Sequence, residues 1–237
     1  MTITSKQNSS FKLWVKLKQK KYRDLNGMFL AYGPHLIKQA KEHDVILELL
    51  TSNPDKEGIL LPKDLMDELQ QTETAFDQIA VCKKTNPKKE SDKILVLDDV
   101  QDPDNVGALF RSASAFGFTH IIVSLKTADI HNEKVIRASK GALFDLYIER
   151  RPLLEALQEL KNKSYQLIYA DAHDTGSPKK DVKTVLIMGN EGHGINPEIK
   201  LLCDDAVYIP TQTVESLNVS VAAGICLSEV RRQRINL

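Results

Sequence analysis

No apolar run in this 237-residue chain approaches the roughly 20 residues that a membrane-spanning helix needs, so no transmembrane span is expected. Cysteine is scarce. Cys82, Cys203 and Cys226 are odd in number, far apart and never arranged as C-x-x-C. That pattern argues against a disulfide framework or a zinc site, and it fits a reducing compartment such as the cytoplasm. No secretory signal is read at the start, and the opening segment is rich in Lys rather than Arg, unlike an organelle presequence. G-x-G-x-x-G and G-x-x-x-x-G-K-[ST] are both missing, so neither a dinucleotide turn nor a triphosphate loop is indicated. Internal repeats and low-complexity tracts are absent too.

Net charge is also lacking, with 32 Lys/Arg against 32 Asp/Glu. The zero hides an uneven distribution. Residues 1–23 carry seven Lys/Arg and no acid, and the other end holds Arg231, Arg232 and Arg234. Local patches rather than totals attract phosphate. Lys18, Lys20, Lys21 and Arg23 are therefore candidate RNA contacts, with a solvated helix face as the alternative. Trp14 and Leu17 are set like core contacts.

Residues 28–82 alternate short strands and helices, as a small α/β unit does. MFLAYG (28–33) reads as a strand and PHLIKQAKEH (34–43) as a helix with Pro34 in its first turn. KKTNPKKESDK (83–93) is wholly polar and reads as a linker. A second alternation follows. ILVLD (94–98) has the continuous apolar character of a buried parallel strand. Helices are expected near 105–116, 132–139, 152–163, 197–202 and 218–234. Strands are expected at 119–124, 144–149, 165–171, 184–189 and 206–210.

Three segments carry polar residues suited to chemistry. In LDDVQDPDNVGALFRSASAFGF (97–118), Asn105 reads as a helix N-cap and Gly107 as a point of close approach. Arg111 lies one turn beyond Gly107; it suits a phosphate, or else bridges to Asp102 or Asp104. In MGNEGHGI (188–195), Gly189, Gly192 and Gly194 surround Glu191 at the end of a strand, where open α/β sheets bind ligands. A carboxylate there repels phosphate and favours a cation or a hydrogen-bond donor. In YIPTQTVESLNVSVAAGICLSEVRRQR (208–234), Ser216 and Asn218 precede a helix whose small residues run around most of its circumference. That helix is expected to be buried on several sides.

N-x-G-x-x-x-R, G-N-E-G-x-G and I-P…S-L-N-V-S-V-A-x-G, in this order, resemble the three motifs of the SpoU-type (TrmH) RNA ribose methyltransferases of the SPOUT superfamily. The resemblance covers about 94–234, and IRASKGALFDL (136–146) looks like the family's central segment. The N-terminal unit more loosely resembles the family's L30e-like substrate-binding domain; Tyr32 stands where the family usually has an acid.

The resemblance implies an α/β fold: a SPOUT-type parallel sheet with a C-terminal deep trefoil knot (94–237). An L30e-like domain (1–83) and a linker (84–93) would precede it. It implies S-adenosyl-L-methionine as cofactor, held by Met188, Gly189, Gly194, Ile209 and Leu217, with the glycines giving close approach. Asn105, Arg111, Glu191, Ser216 and Asn218 would form the catalytic cluster. Arg111 would hold the target phosphate, Glu191 would fix Arg111 or Asn105, and Ser216 and Asn218 would orient Arg111 and the ribose. A guanidinium hardly deprotonates, so phosphate-assisted activation is preferred over Arg111 as base. The substrate would be RNA, ribosomal ahead of transfer RNA, and the protein a homodimer needing no metal. A catalytically silent RNA-binding protein on the same fold is the alternative. His173, between Asp171 and Asp174, reads as a solvated loop rather than a metal ligand. His193 would border the cofactor.

Overall fold

The computed structural model describes residues 1–88, 91–171, 182–214 and 216–232. They form two compact units, Met1–Thr85 with Asp129–Phe144, and Asn86–Ala128 with Asp145 onward. His173 and Arg234 lie outside the described residues.

The first unit opens with α1 (Ser9–Lys16) and α2 (Lys20–Asn26). Asn8 caps α1, its side-chain oxygen accepting from Ser10 N at 2.9 Å and Phe11 N at 3.2 Å. Gly27, at φ 63°, ends α2 in the left-handed region that glycine tolerates. Then come β1 (Met28–Tyr32), α3 (Pro34–Glu42), β2 (Ile46–Thr51), β3 (Ile59–Leu60), α4 (Lys63–Leu69) and β4 (Gln78–Lys83). The sheet order is β1-β4-β2-β3, with β4 antiparallel to both neighbours. Phe11, Trp14 and Leu17 are buried in one cluster with Leu30, Leu50, Leu65 and Ile79, as the sequence pattern suggested for Trp14 and Leu17.

Arg23 departs from the expectation of a surface contact. It is 5% exposed, donating to the carbonyls of Leu17 at 2.9 Å and Lys18 at 2.7 Å and pairing with Asp129 at 2.5 Å. Its guanidinium is thus spent inside the unit. Lys18 is half-buried and donates to the Glu68 carbonyl. Lys20 pairs with Asp24, and Lys21 lies over the Tyr22 ring; both lysines are exposed.

In the second unit β5 (Lys93–Leu97) leads to α5 (Pro103–Ala115) and β6 (His120–Val123). The N-cap of α5 is Asp102, not Asn105. Asp102 Oδ1 accepts from Asp104 N at 2.7 Å and Asn105 N at 3.1 Å, and Pro103 takes the first helical position. The chain then supplies α6 (Glu133–Ser139) and a 3-10 turn at Ala142–Asp145. Residues 129–144, which interrupt the strands of the second unit, pack within the first: Phe29 stacks on Phe144 at 6.3 Å and tilts against His131 at 5.0 Å. The strand expected at 144–149 is therefore shorter, because its first residues wind into that turn; β7 spans Tyr147–Arg150.

The chain continues through α7 (Leu153–Asn162), β8 (Gln166–Asp171), β9 (Thr184–Met188), α8 (Pro197–Leu202), β10 (Asp205–Tyr208) and α9 (Val219–Arg232). Six strands lie in the order β10-β8-β9-β5-β6-β7, every pair parallel. Ile94, Val96, Val185 and Ile187 face a core built with Leu157 of α7 and Ile199 of α8. The two central strands, β5 and β9, read as unbroken apolar runs because both of their faces are covered. Asn86 caps the edge strand: it accepts from Ile148 N and donates to Ile148 O, each at 2.8 Å. α9 packs on α5, β8 and β9. It buries Ala223, Cys226, Leu227 and Val230, but Val221 and Ile225 are 52% and 40% exposed. The expectation of burial on several sides fails here, since one apolar face meets solvent.

Candidate active site

β9 delivers Met188 to the carboxyl ends of the parallel strands, between β5 and β8. There the chain turns sharply. Asn190 and Gly194 exchange backbone hydrogen bonds of 2.9 and 3.0 Å. The Asn190 side chain accepts from Gly192 N at 2.8 Å and His193 N at 3.3 Å, and donates to Asp99 O at 2.8 Å. A Cβ on Gly189 would stand 2.6 Å from Gly194 C and from Ile195 Cγ1. Gly189 thus permits a close approach of the chain to itself. Gly194 supplies φ 69°. Asp98 accepts from Asn196 N at 2.8 Å and closes the turn; burial pushes its carboxyl above the usual range.

This turn projects Glu191 toward α5. Asn105 Nδ2 donates to Glu191 Oε1 at 2.9 Å, and Asn218 Nδ2 donates to Asn105 Oδ1 at 3.1 Å. Two residues that lie 86 and 113 positions from Asn105 are thereby joined to it in one relay. Asn218 also starts α9, its Oδ1 accepting from Ser220 N at 2.9 Å. A hydrogen bond to a carboxylate is worth about 1.5–3 kcal/mol when shielded, and less at an exposed site like this.

Beside the relay lies a cleft of about 730 Å³. It falls within the roughly 300–1,000 Å³ range of small-molecule sites. Met188, Gly189, Gly194, Ile209 and Leu217 all line it, as do Glu191, Ser216 and Asn218. Arg111 stands outside this network. It is exposed on α5 and makes no hydrogen bond or ion pair with any described residue, so the bridge to Asp102 or Asp104 is not formed. Glu191 fixes Asn105, not Arg111. His193 borders the cleft. Two charged lining residues were not read as part of this site: Asp171, at the end of β8, and Lys200, on α8, which pair at 2.5 Å. A charged residue at a strand end is the only signal that could have found Asp171. Asn190 was overlooked inside its own motif, where glycine and glutamate drew attention.

The lining suits S-adenosylmethionine. Apolar walls from Met188, Ile195, Ile209, Leu217 and Ala222 can take an adenosine, and the Glu191 carboxylate, beside the paired charges of Asp171 and Lys200, suits a cationic ligand bearing hydroxyl and ammonium donors. Among the described residues no group of His, Cys, Asp and Glu is placed to hold a metal ion. No described helix is long and apolar enough to cross a membrane.

Comparison with known proteins bears on the fold and the family. The model of the SpoU rRNA Methylase family matches residues 92–228, and that of the MRM3-like substrate binding domain matches residues 8–95. The chain is 33% identical over 245 residues to the 23S rRNA (guanosine(2553)-2'-O)-methyltransferase RlmP of Bacillus subtilis (strain 168), covering 97% of this chain and 98% of that one. It is 40% identical over 147 residues to the 23S rRNA (guanosine-2'-O-)-methyltransferase RlmB of Ralstonia nicotianae, covering 60% and 59%. The crystal structure of the SpoU methyltransferase AviRb from Streptomyces viridochromogenes, in complex with the cofactor AdoMet, superposes with a TM-score of 0.84 at 28% identity, covering 97% and 99%. Fold, cleft and relatives together define an S-adenosylmethionine-dependent RNA methyltransferase. The chain belongs to the SpoU rRNA methylase family.

Proposed function

We propose that the protein transfers a methyl group to a ribose 2′-hydroxyl of ribosomal RNA. The observation that carries this reading is the relay Glu191–Asn105–Asn218 standing at the edge of the cleft. Bound S-adenosylmethionine would supply an activated methyl on a sulfonium, so the protein's share of the work is alignment. The carboxylate of Glu191 holds Asn105 in one rotamer, and Asn105 in turn holds Asn218 at the start of α9. Ser216, exposed on the cleft wall, orients the ribose. Arg111, with no protein partner among the described residues, is free to grip the phosphate beside the target sugar. The hydroxyl proton passes to that phosphate or to water as the carbon–oxygen bond forms. Met188, Gly189, Gly194, Ile209 and Leu217 would hold the methyl donor, whose sulfonium would keep the electrons of the broken carbon–sulfur bond as a neutral thioether.

Three further features belong to the reading. The C-terminal segment would form a knot, a reading supported by the turn at 189–195 and by Ile209, Thr211, Ser216, Leu217 and Asn218 lining one cleft. The protein would act as a homodimer, which the exposed Val221 and Ile225 of α9 support. Residues 1–83 would be the RNA-gripping domain, joined through 84–93 to the catalytic residues 94–237, with Lys20 and Lys21 exposed for phosphate. Ribose-methylation mapping of total RNA with and without the gene tests the function. One ribosomal 2′-O-methyl should vanish in its absence; an unchanged map of ribosomal RNA sinks the proposal.

A further inference from the structure

The first unit holds a second pocket, separate from the cleft, of about 190 Å³. It lies below the roughly 300–1,000 Å³ of ordinary small-molecule sites, so its guest is about one ring system in size. Phe76, Ile136 and Pro34 give it apolar walls. Gly33 makes the pocket's floor possible: a Cβ there would stand 2.9 Å from Phe76 Cε1 and push the ring aside. His35 Nε2 lies 3.1 Å from the Lys140 carbonyl and ties the start of α3 to the end of α6, closing one side. The rim is cationic. Arg137, on α6, and Lys140, just past its end, are both exposed, and the Lys140 ammonium makes no hydrogen bond or ion pair with any described residue. Arg137 pairs with Glu133 at 3.1 Å, which places a carboxylate on the wall as a hydrogen-bond acceptor.

An apolar slot flanked by Arg137 and Lys140 fits an unstacked nucleobase whose flanking phosphates meet those cations. Aromatic stacking supplies the affinity, and the cations supply the anchoring. We propose that this pocket captures one extruded base of the substrate RNA and so anchors that RNA away from the cleft. The proposal rests on the reading of the protein as an RNA methyltransferase and adds a contact to it. Glu133 favours a base that presents an N–H or amino donor.

The test uses the full-length protein and deproteinised large-subunit ribosomal RNA. Thr72, half-buried at the pocket, is changed by Thr72→Trp to fill the slot. RNA affinity should fall about tenfold, within the range of one lost stacking contact. S-adenosylmethionine affinity, read by calorimetry, should not change. Lys140→Ala should lower the salt dependence of RNA binding by about one phosphate contact. Photocrosslinking of 4-thiouridine-substituted RNA to the wild-type protein gives an answer independent of how Thr72→Trp folds. Crosslinks should fall on Phe76 or on 133–140. Wild-type RNA affinity in a folded Thr72→Trp, or crosslinks that spare both segments, overturns the proposal. Intact wild-type methylation alongside that result leaves the catalytic reading standing; a wild-type protein that neither binds nor methylates the RNA overturns both.

Discussion

Replacing Asn105 probes the active-site relay most directly. Its side chain donates to the Glu191 carboxylate at 2.9 Å and accepts from Asn218 at 3.1 Å, so Asn105→Ala deletes both bonds. A neutral bond contributes about 0.5–1.5 kcal/mol and one to a charged group about 1.5–3 kcal/mol. The cluster faces solvent, so the loss in folding stability should be only about 1 kcal/mol. Turnover should fall further, by about 10- to 100-fold, because misplacing aligned groups costs rate more than stability. Asn105→Asp should be worse still. It keeps the acceptor for Asn218 but sets two carboxylates at hydrogen-bond distance, a repulsion of about 1–4 kcal/mol between water-like and surface-like dielectrics. The double change Asn105→Asp with Glu191→Gln restores a donor–acceptor pair with its polarity reversed. If Glu191 acts only by holding residue 105, the double variant recovers most of the turnover lost in Asn105→Asp. The assay is methyl transfer to ribosomal RNA, with cofactor affinity by calorimetry and thermal unfolding as controls. An Asn105→Ala enzyme with wild-type turnover would refute the relay. A double variant as inactive as Asn105→Asp would refute the purely positional role of Glu191.

Arg111→Ala should abolish methylation while leaving S-adenosylmethionine affinity nearly intact; calorimetry and turnover on the same preparation check it, and retained turnover removes Arg111 from the mechanism. Arg23→Ala should destabilise the protein by about 3–5 kcal/mol in urea unfolding, since it strands a buried charge. Burial works to raise the Asp129 carboxyl, but its bond to Arg23 outweighs this and holds it below the usual range. Acid should unfold the first unit early. Burial, with the Lys84 charge, holds the His131 imidazole down to about 4, so the unfolded chain takes up a proton that the folded one refuses. Stability is then whole above about pH 6.5 and falls by about 3 kcal/mol as pH drops to about 4, a loss that urea titrations should show diminished in His131→Phe. If α9 forms the proposed dimer seam, Val221→Asp with Ile225→Asp should give a monomer in light scattering where the unaltered protein gives a dimer.

The apolar runs of β5 and β9 were legible because strands covered on both faces need no polar alternation. Helices α3, α7 and α8 likewise fell close to their expected bounds, since the 3.6-residue pattern and first-turn prolines are local signals. The N-cap of α5 went astray through a contest between two good capping residues three positions apart. Pro103 decides it, because proline at the first helical position leaves the cap to Asp102 and moves Asn105 into the first turn. There its side chain is free to reach Glu191.

Sequence alone determined the alternation of strands and helices, the three polar motifs and their order. These depend on residue types that act within a turn or two of where they stand. Tertiary structure decided what those residues touch. Arg23 looked like part of a basic surface until a partner 106 positions away drew it inside. Residues 129–144 sit between strands of one unit and pack with the other. Glu191 had two candidate partners in sequence, Arg111 and Asn105, and bonds Asn105. Periodicity fixes which face a side chain takes, but the meeting of distant faces is set by how the sheet is ordered, and no local pattern encodes that order.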